Sequence, residues 1–473
     1  MKQIIKFSVF FLIAVFAFAS CKKETVASPQ IVKNKPPVAN AGADQRITLP
    51  YTVTIDGSSS ADPDGTIVSY LWSQITGPNQ SVINSTQVST VVHNLTPGTY
   101  QFELKVTDNS GLFAKDTIQI IVNACLVITE PINVSQGNAV LTPFGQLSQP
   151  RYALVSATAG NKILFAGGVA CLGGGLISST RVDIFDMLSQ TWSTAELSGP
   201  RYGITAVGVG NKILFAGGMT STGIGNSRVD IYDVSSNTWT TAELSIGRGY
   251  ISSTSNGGKA FFAGGSISDD IPRSSRVDIY ESATNTWSRT ELSEARTDIG
   301  GVAVGNKILF AGGYISGAYW DGDLVYSNRV DIYNVSNNTW SFASLNQARG
   351  SITATALYNK VFFAGGFTND GVSNKIDIYD DNLQTWSTAG LSLARYGFGA
   401  ATLGNKILFG MGFGLSGGEN RMDIYDAISN SWTVADLNVP LNSSTVISAG
   451  NQVYVAGGAV KNGISDKVFK LTF

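Results

Sequence analysis

Histidine is almost missing from this chain of 473 residues: there is one, His93. A Ser-His-Asp triad, an imidazole-ligated zinc or an imidazole-ligated copper needs that ring beside its partners, so the long stretch after residue 93 can build none of them. Cysteine is scarce as well. Cys21, Cys125 and Cys171 are too few for a disulfide scaffold, though Cys125 and Cys171 can form one bridge in an oxidising compartment. Charge is thin and balanced, with 32 basic against 34 acidic residues and a net charge of −2. Nucleic acid is held by basic patches that displace counterions, so no nucleic-acid partner is expected. The helical signal is poor.

Glycine and apolar residues are what the chain has in quantity. Its 52 glycines sit mostly at the ends of apolar runs, the texture of many short strands joined by tight turns. With 43% hydrophobic residues there is core for two or three domains. Most telling is an internal period. KILFAGG occurs at 162 to 168, 212 to 218 and 307 to 313, with near-copies KAFFAGG, KVFFAGG, KILFGMG and QVYVAGG. A recurring phrase means one supersecondary unit built repeatedly and stacked.

The start of the chain reads as a targeting segment: MKQIIK supplies basic residues, FSVFFLIAVFAFAS an apolar run, and Cys21 follows Ala19 and Ser20. The run is shorter than the roughly 20 residues that span a bilayer. The segment resembles a bacterial lipoprotein signal peptide. That resemblance implies removal of residues 1–20, acylation of Cys21 and a place in the cell envelope, lipid-anchored in the outer membrane or on the cell surface. Residues 21–35 have no apolar pattern and read as a flexible tether.

From Pro36 the pattern alternates with period two, broken by Gly, Asp, Asn and Pro turns, as in a small antiparallel sandwich. The opening PP-x-A-x-A-G, the loop DGSSSADPDG and the closing V-T-D-N-x-G resemble a PKD domain over residues 36–123. The resemblance implies a spacer or weak adhesion module. Asp62 and Asp64 are weak candidates for calcium, which takes several oxygen ligands; turn chemistry accounts for Asp-Pro-Asp-Gly equally well. Residues 124–138 read as a linker.

After it, the Gly-Gly pairs recur at spacings near 50 residues. Six units continue with a strand such as RVDIYD and a tryptophan seven residues after an aromatic, as in Tyr232 and Trp239. This resembles the kelch repeat over residues 139–473. The expected fold is therefore all-β, a PKD-like sandwich followed by a kelch-type β-propeller of seven blades. Small residues suit the innermost strands, which converge on the axis. The Gly-Gly pair is expected to make room for a neighbouring aromatic ring. The last unit lacks a Trp-bearing strand, so residues near 139–142 are expected to pair with 467–473 and close the ring.

An arginine opens the innermost strand in six units: Arg151, Arg201, Arg248, Arg296, Arg349 and Arg395. An aspartate sits in the third strand of the same units: Asp183, Asp230, Asp278, Asp331, Asp377 and Asp423. The arginines read either as a cationic ring for a carboxylated ligand or as partners of those aspartates. Blade seven favours pairing, since Leu441 and Phe469 replace both members together; losing one alone would strand a buried charge.

Repeated residues serve the repeat, so irregular loops are the better guide to a ligand. YISGAYWDGDLVYSN gathers Tyr319, Trp320, Asp321, Asp323 and Tyr326, which suit stacking on a sugar ring or, alternatively, packing into the loop's own small core. SISDDIPRSS adds Asp269, Asp270 and Arg273. The favoured reading is a surface-anchored, monomeric binding protein whose loop face holds a glycan or a protein, without cofactor. The alternative is a metal-free sugar epimerase or mutarotase of the kelch sialate-epimerase kind, with Glu294, Asp298 and Glu419 as candidate acids.

Overall fold

The structure is a computed structural model. It describes residues 33–47, 53–81, 83, 85–123, 139–172, 175–268, 272–317, 324–414, 417–460 and 463–472. The expected signal peptide, Cys21, nearly all of the tether and the linker 124–138 lie outside the described residues. Every regular element among the described residues is a strand. No helix among them is long and apolar enough to cross a membrane.

The first domain is a sandwich of two sheets. Gln45–Ile47, Phe113–Val122, Gly98–Asp108 and Ile67–Thr76 form one, and Val53–Asp56 pairs with Ser89–Val92 in the other. Alternation along Gly98–Asp108 turns Tyr100, Phe102, Leu104 and Val106 inward onto Trp72, Ile118 and Ile120. The buried Trp72 indole N–H donates to the Gln87 carbonyl at 3.2 Å. Asp62 and Asp64 serve the turn they sit in: Asp62 accepts from the Asp64 amide at 3.3 Å, and Asp64 accepts from the Lys35 amide at 3.2 Å.

From residue 139 onward the described residues form seven four-stranded antiparallel sheets. Their innermost strands, Val155–Ala159, Thr205–Val209, Ser252–Asn256, Gly300–Val304, Thr353–Leu357, Gly399–Leu403 and Thr445–Ala449, touch one another in sequence and the last touches the first. The closed cycle explains their small residues. A Cβ on Gly208 would collide with the Thr158 carbonyl oxygen of the neighbouring sheet.

The second sheet shows how one unit folds. Thr205–Val209, Lys212–Ala216, Arg228–Asp233 and Thr238–Glu243 run outward in that order. In KILFA every residue after the lysine is buried, because both faces of the sheet are covered. Ile213 and Phe215 pack toward the first blade, Leu214 and Ala216 toward the third. Tyr232 lies directly opposite Trp239 with ring centroids 5.0 Å apart, and the other five blades with a tryptophan keep the same pair. Such contacts add about 0.5–1.5 kcal/mol each beyond area burial.

The ring closes with strands from both ends of the propeller region. Lys467–Thr472 pairs antiparallel with Val140–Gln146, from Lys467 opposite Gln146 to Thr472 opposite Val140.

The Gly-Gly pair faces an aromatic ring in one blade, where Phe398 lies against Gly365, and a different obstacle in the others. No aromatic ring occupies the space at Gly217 and Gly218. Both are left-handed, with φ of 64° and 103°, and Cβ atoms there would collide with the Arg248 carbonyl, Ile251 and Ile204. The Gly218 N–H donates to that same Arg248 carbonyl at 2.9 Å, so the pair joins each blade to the chain entering the next.

Candidate functional site at the propeller mouth

The six repeated arginines are spent on the scaffold. Arg201, Arg248 and Arg349 reach Asp230, Asp278 and Asp377 at 2.6–2.7 Å, and Arg151, Arg296 and Arg395 pair in the same way with Asp183, Asp331 and Asp423. All are buried. The second carboxylate oxygen takes a backbone N–H three residues before the arginine, Ser198 for Asp230 at 3.0 Å. Other guanidinium nitrogens reach carbonyls, as when Arg296 Nη1 donates to Gly312 at 2.7 Å and Arg329 at 2.8 Å, whereas Nε of Arg151, Arg201, Arg248, Arg296 and Arg395 and Nη1 of Arg201 have no hydrogen-bond partner among the described residues. Burial pulls Arg151 and Arg248 down to about 10 against the attraction of their aspartates, leaving them charged at neutral pH. No cationic ring faces the channel from these positions. In blade seven Leu441 and Phe469 fill the equivalent space as apolar core.

Two residues after each arginine, and after Leu441 in blade seven, the chain turns left-handed. The positions are Ala153, Gly203, Tyr250, Asp298, Ser351, Gly397 and Ser443, with φ from 50° to 59°. Neighbours in this collar are joined through the backbone: Tyr250 N–H to Gly203 O at 2.9 Å, Ser351 N–H to Asp298 O at 3.0 Å, Ala153 N–H to Ser443 O at 2.8 Å. Glycine would be cheapest throughout, since a Cβ in this conformation costs about 1 kcal/mol. Tyr250, Asp298 and Ser351 keep side chains there, and backbone strain of this sort collects at functional sites.

Those three residues line a cavity of about 550 Å³. Arg273, Tyr314, Tyr396 and Phe398 supply much of the remaining wall. The volume is in the range of small-molecule sites. Tyr314 donates or accepts with Ser351 Oγ at 2.8 Å and lies 5.1 Å, ring to ring, from Tyr326. Tyr396 is held between Phe367 at 4.4 Å and Phe413 at 5.4 Å. Arg273 donates to Ser266 Oγ at 3.2 Å and to the Gly317 carbonyl at 2.9 Å. Its Nε has no partner among the described residues.

Asp298 is the electrostatic feature of the cavity. Enclosure by protein pushes its carboxyl up to about 6, against a 3.3 Å hydrogen bond from Thr297 Oγ1 and the field of Arg273. The group changes charge close to neutrality, where an ordinary aspartate is long ionised.

Of the expected ligand residues, Arg273 lines the cavity and Tyr326 stacks behind its wall. Tyr319, Trp320, Asp321, Asp323, Asp269 and Asp270 lie outside the described residues. Among the candidate acids only Asp298 faces the cavity. Glu294 accepts from Ser327 at 2.8 Å and lies 3.9 Å from Arg296, while Glu419 packs against Gly414. Tyr250, Tyr314, Ser351 and Tyr396 went unnoticed in the sequence. The signal of three of them was present: aligned on the arginine and on Gly-Gly, Tyr250 and Ser351 fall two after the one and Tyr314 just after the other, in columns that vary, while Tyr396 directly follows Arg395. Cys171 is disulfide-bonded, and the only other cysteines, Cys21 and Cys125, lie outside the described residues. Among the described residues no group of three or more His, Cys, Asp or Glu is placed to hold a metal.

Fold and mouth together define the class: an all-β protein with a PKD-like sandwich ahead of repeated four-stranded kelch-type sheets. Comparison with known proteins agrees in part of the chain. The PKD domain family of the KIAA0319-like kind matches residues 41–122, and the Kelch motif matches residues 200–243 and 295–344. Among curated proteins, the chain is 36% identical over 126 residues to the dyslexia-associated protein KIAA0319-like protein of Mus musculus, covering 26% of this chain and 12% of that one. It is 41% identical over 91 residues to the dyslexia-associated protein KIAA0319 of Homo sapiens, covering 19% and 8%. It is 37% identical over 98 residues to low-density lipoprotein receptor-related protein 11 of Homo sapiens, covering 20% and 19%. The chain thus spans a small fraction of each of these relatives. A solved structure titled "Structure of YjhT" superposes with a TM-score of 0.46 at 16% identity, over 62% of this chain and 99% of that one.

Proposed function

We propose that this protein is an extracytoplasmic binding module whose propeller mouth captures a glycan, with the PKD-like sandwich as the spacer that presents it. The observation that carries the reading is the cavity itself, where Tyr250, Asp298 and Ser351 hold left-handed backbone beside Tyr314, Tyr396 and Arg273. Strained backbone that carries side chains beside a cavity is of the kind that collects at functional sites. The lipoprotein-like start of the chain supports anchoring through Cys21 in the cell envelope. The disulfide at Cys171 supports an oxidising compartment.

A glycan array probed with wild type and with Tyr314→Ala tests the proposal. Capture of a glycan that the variant loses is the expected result; capture unaffected by Tyr314→Ala and Tyr396→Ala would remove the cavity from the function.

A second reading, a metal-free sugar epimerase or mutarotase, is favoured by one observation. A carboxyl poised at about 6 inside a small-molecule cavity is suited to moving a proton. NMR of anomer and epimer exchange in free acidic and neutral sugars tests it, and no acceleration over buffer would end it.

A further inference from the structure

Resting on the proposal that the mouth is a ligand site, we propose that its ligand is an uncharged, hydroxyl-rich ring such as a neutral hexopyranose, oriented by a hydroxyl donated to the Asp298 carboxylate. Three features of the cavity lead there.

The first is charge. Among the described cavity-lining residues Arg273 and Asp298 are the charged pair, so at neutral pH the described lining carries one charge of each sign. A ligand carboxylate entering would be drawn by Arg273 but would share a confined space with Asp298, and like charges so placed oppose each other.

The second is how Arg273 is already used. Both terminal nitrogens donate to protein oxygens, Nη1 to Ser266 and Nη2 to Gly317, and Nε is the nitrogen left without a partner among the described residues. A guanidinium anchored in this way serves as a positioned donor more readily than as an open fork for a carboxylate.

The third is the wall. Tyr250, Tyr314 and Tyr396 line the cavity, and aromatic rings that carry hydroxyls suit the alternating C–H and O–H surface of a pyranose. The groups near Asp298 that bear on its proton are Thr297, which donates to it, and Arg273, which favours its charge; the facing phenols are those of Tyr250, Tyr314 and Tyr396, the last pushed up by burial. Glu294, on the same connection, is engaged by Ser327 and Arg296.

The sign of the pH dependence decides the matter. A ligand hydroxyl bonded to the carboxylate favours the ionised form, so affinity falls as pH drops through the titration of Asp298. An anionic ligand behaves the opposite way, binding more tightly once Asp298 is neutral.

The test uses the full chain with methyl glycosides of glucose, galactose and mannose and the matching hexuronates. Saturation-transfer NMR and calorimetry would be run at about pH 5 and about pH 7.5. We expect a neutral glycoside to bind and to lose roughly five- to tenfold in affinity at the lower pH. Asp298→Asn should weaken binding and abolish the pH dependence; asparagine accepts left-handed backbone readily, so this variant keeps the fold. Preference for a hexuronate with binding that tightens as pH falls would overturn the inference, as would binding of neither class. An array ligand lost on Tyr314→Ala yet indifferent to pH and to Asp298→Asn would overturn it while leaving the mouth as a ligand site.

Discussion

Arg201 and Asp230 meet at 2.6 Å in the buried interior of the second blade, joining the chain that enters the blade to its third strand. Blade seven shows the apolar version of the same joint, Leu441 with Phe469. Removing one member alone leaves a charge without its counter-charge or hydrogen-bond partner, whereas removing both restores a neutral core. Arg201→Leu is therefore expected to cost about 3–5 kcal/mol, and the double variant Arg201→Leu with Asp230→Phe much less than the two single costs added together. Urea unfolding of the four proteins of the cycle measures this. Additive losses would show that the pair is not coupled.

The left-handed glycines give a sharper contrast. Gly218, at φ 103°, has Ile204 and the Tyr202 carbonyl where a Cβ would go, whereas Gly404, at φ 58°, has nothing within 4 Å. Gly404→Ala is expected to cost about 1 kcal/mol, from backbone strain alone. Gly218→Ala adds clashes with Ile204 and the Tyr202 carbonyl at the entry to its own blade, and should cost at least twice as much. Thermal melts of the two variants decide it; equal losses would mean the entry relaxes freely.

The scaffold was far more legible than the site, for a physical reason. KILFA is read correctly as a strand because both faces of a blade are buried and the phrase recurs with each blade, and the Arg–Asp pairing was visible because blade seven drops both partners at once. The glycine pair was located, but its reason was legible in one blade only: Gly365 faces the Phe398 ring, whereas Gly217 answers to the Arg248 carbonyl and Ile251, a contact between blades that no single repeat displays. The mouth was hardest. Tyr250, Asp298, Ser351 and Tyr396 come from successive blades and meet only because the ring closes, and nothing in RTDI announces that Asp298 is left-handed and enclosed. Arg273 was found because it broke the repeat.

Cys171 offers a covalent check. It is disulfide-bonded, so alkylation of the folded or denatured protein without reductant should leave it unmodified, and peptide mapping is expected to identify Cys125 as its partner; Cys21 instead would contradict lipid anchoring through that sulfur. Cys171→Ser should lower stability by about 2–4 kcal/mol if the bridge forms as it stands. Quantitative alkylation of Cys171 in protein made outside the cytoplasm would contradict the bond.

Asp298 also makes a prediction about stability that needs no ligand. Its carboxyl is raised to about 6 in the folded protein by enclosure, whereas an unfolded aspartate titrates near 3.9. Between those values the folded state holds the extra proton, so raising the pH favours unfolding across that window and has no further effect above it. The full shift would correspond to nearly 3 kcal/mol, but the carboxyl is reached from the cavity, and solvent there reduces the expected loss to about 2 kcal/mol. Asp298→Asn has no proton to hold, so its stability relative to wild type should rise between about pH 4 and about pH 6 and then level off. Guanidinium unfolding of both proteins across that range measures the difference directly. A difference that stays flat would place the carboxyl at an ordinary value, and the cavity would lose the proton-sensitive group on which its ligand preference has been argued.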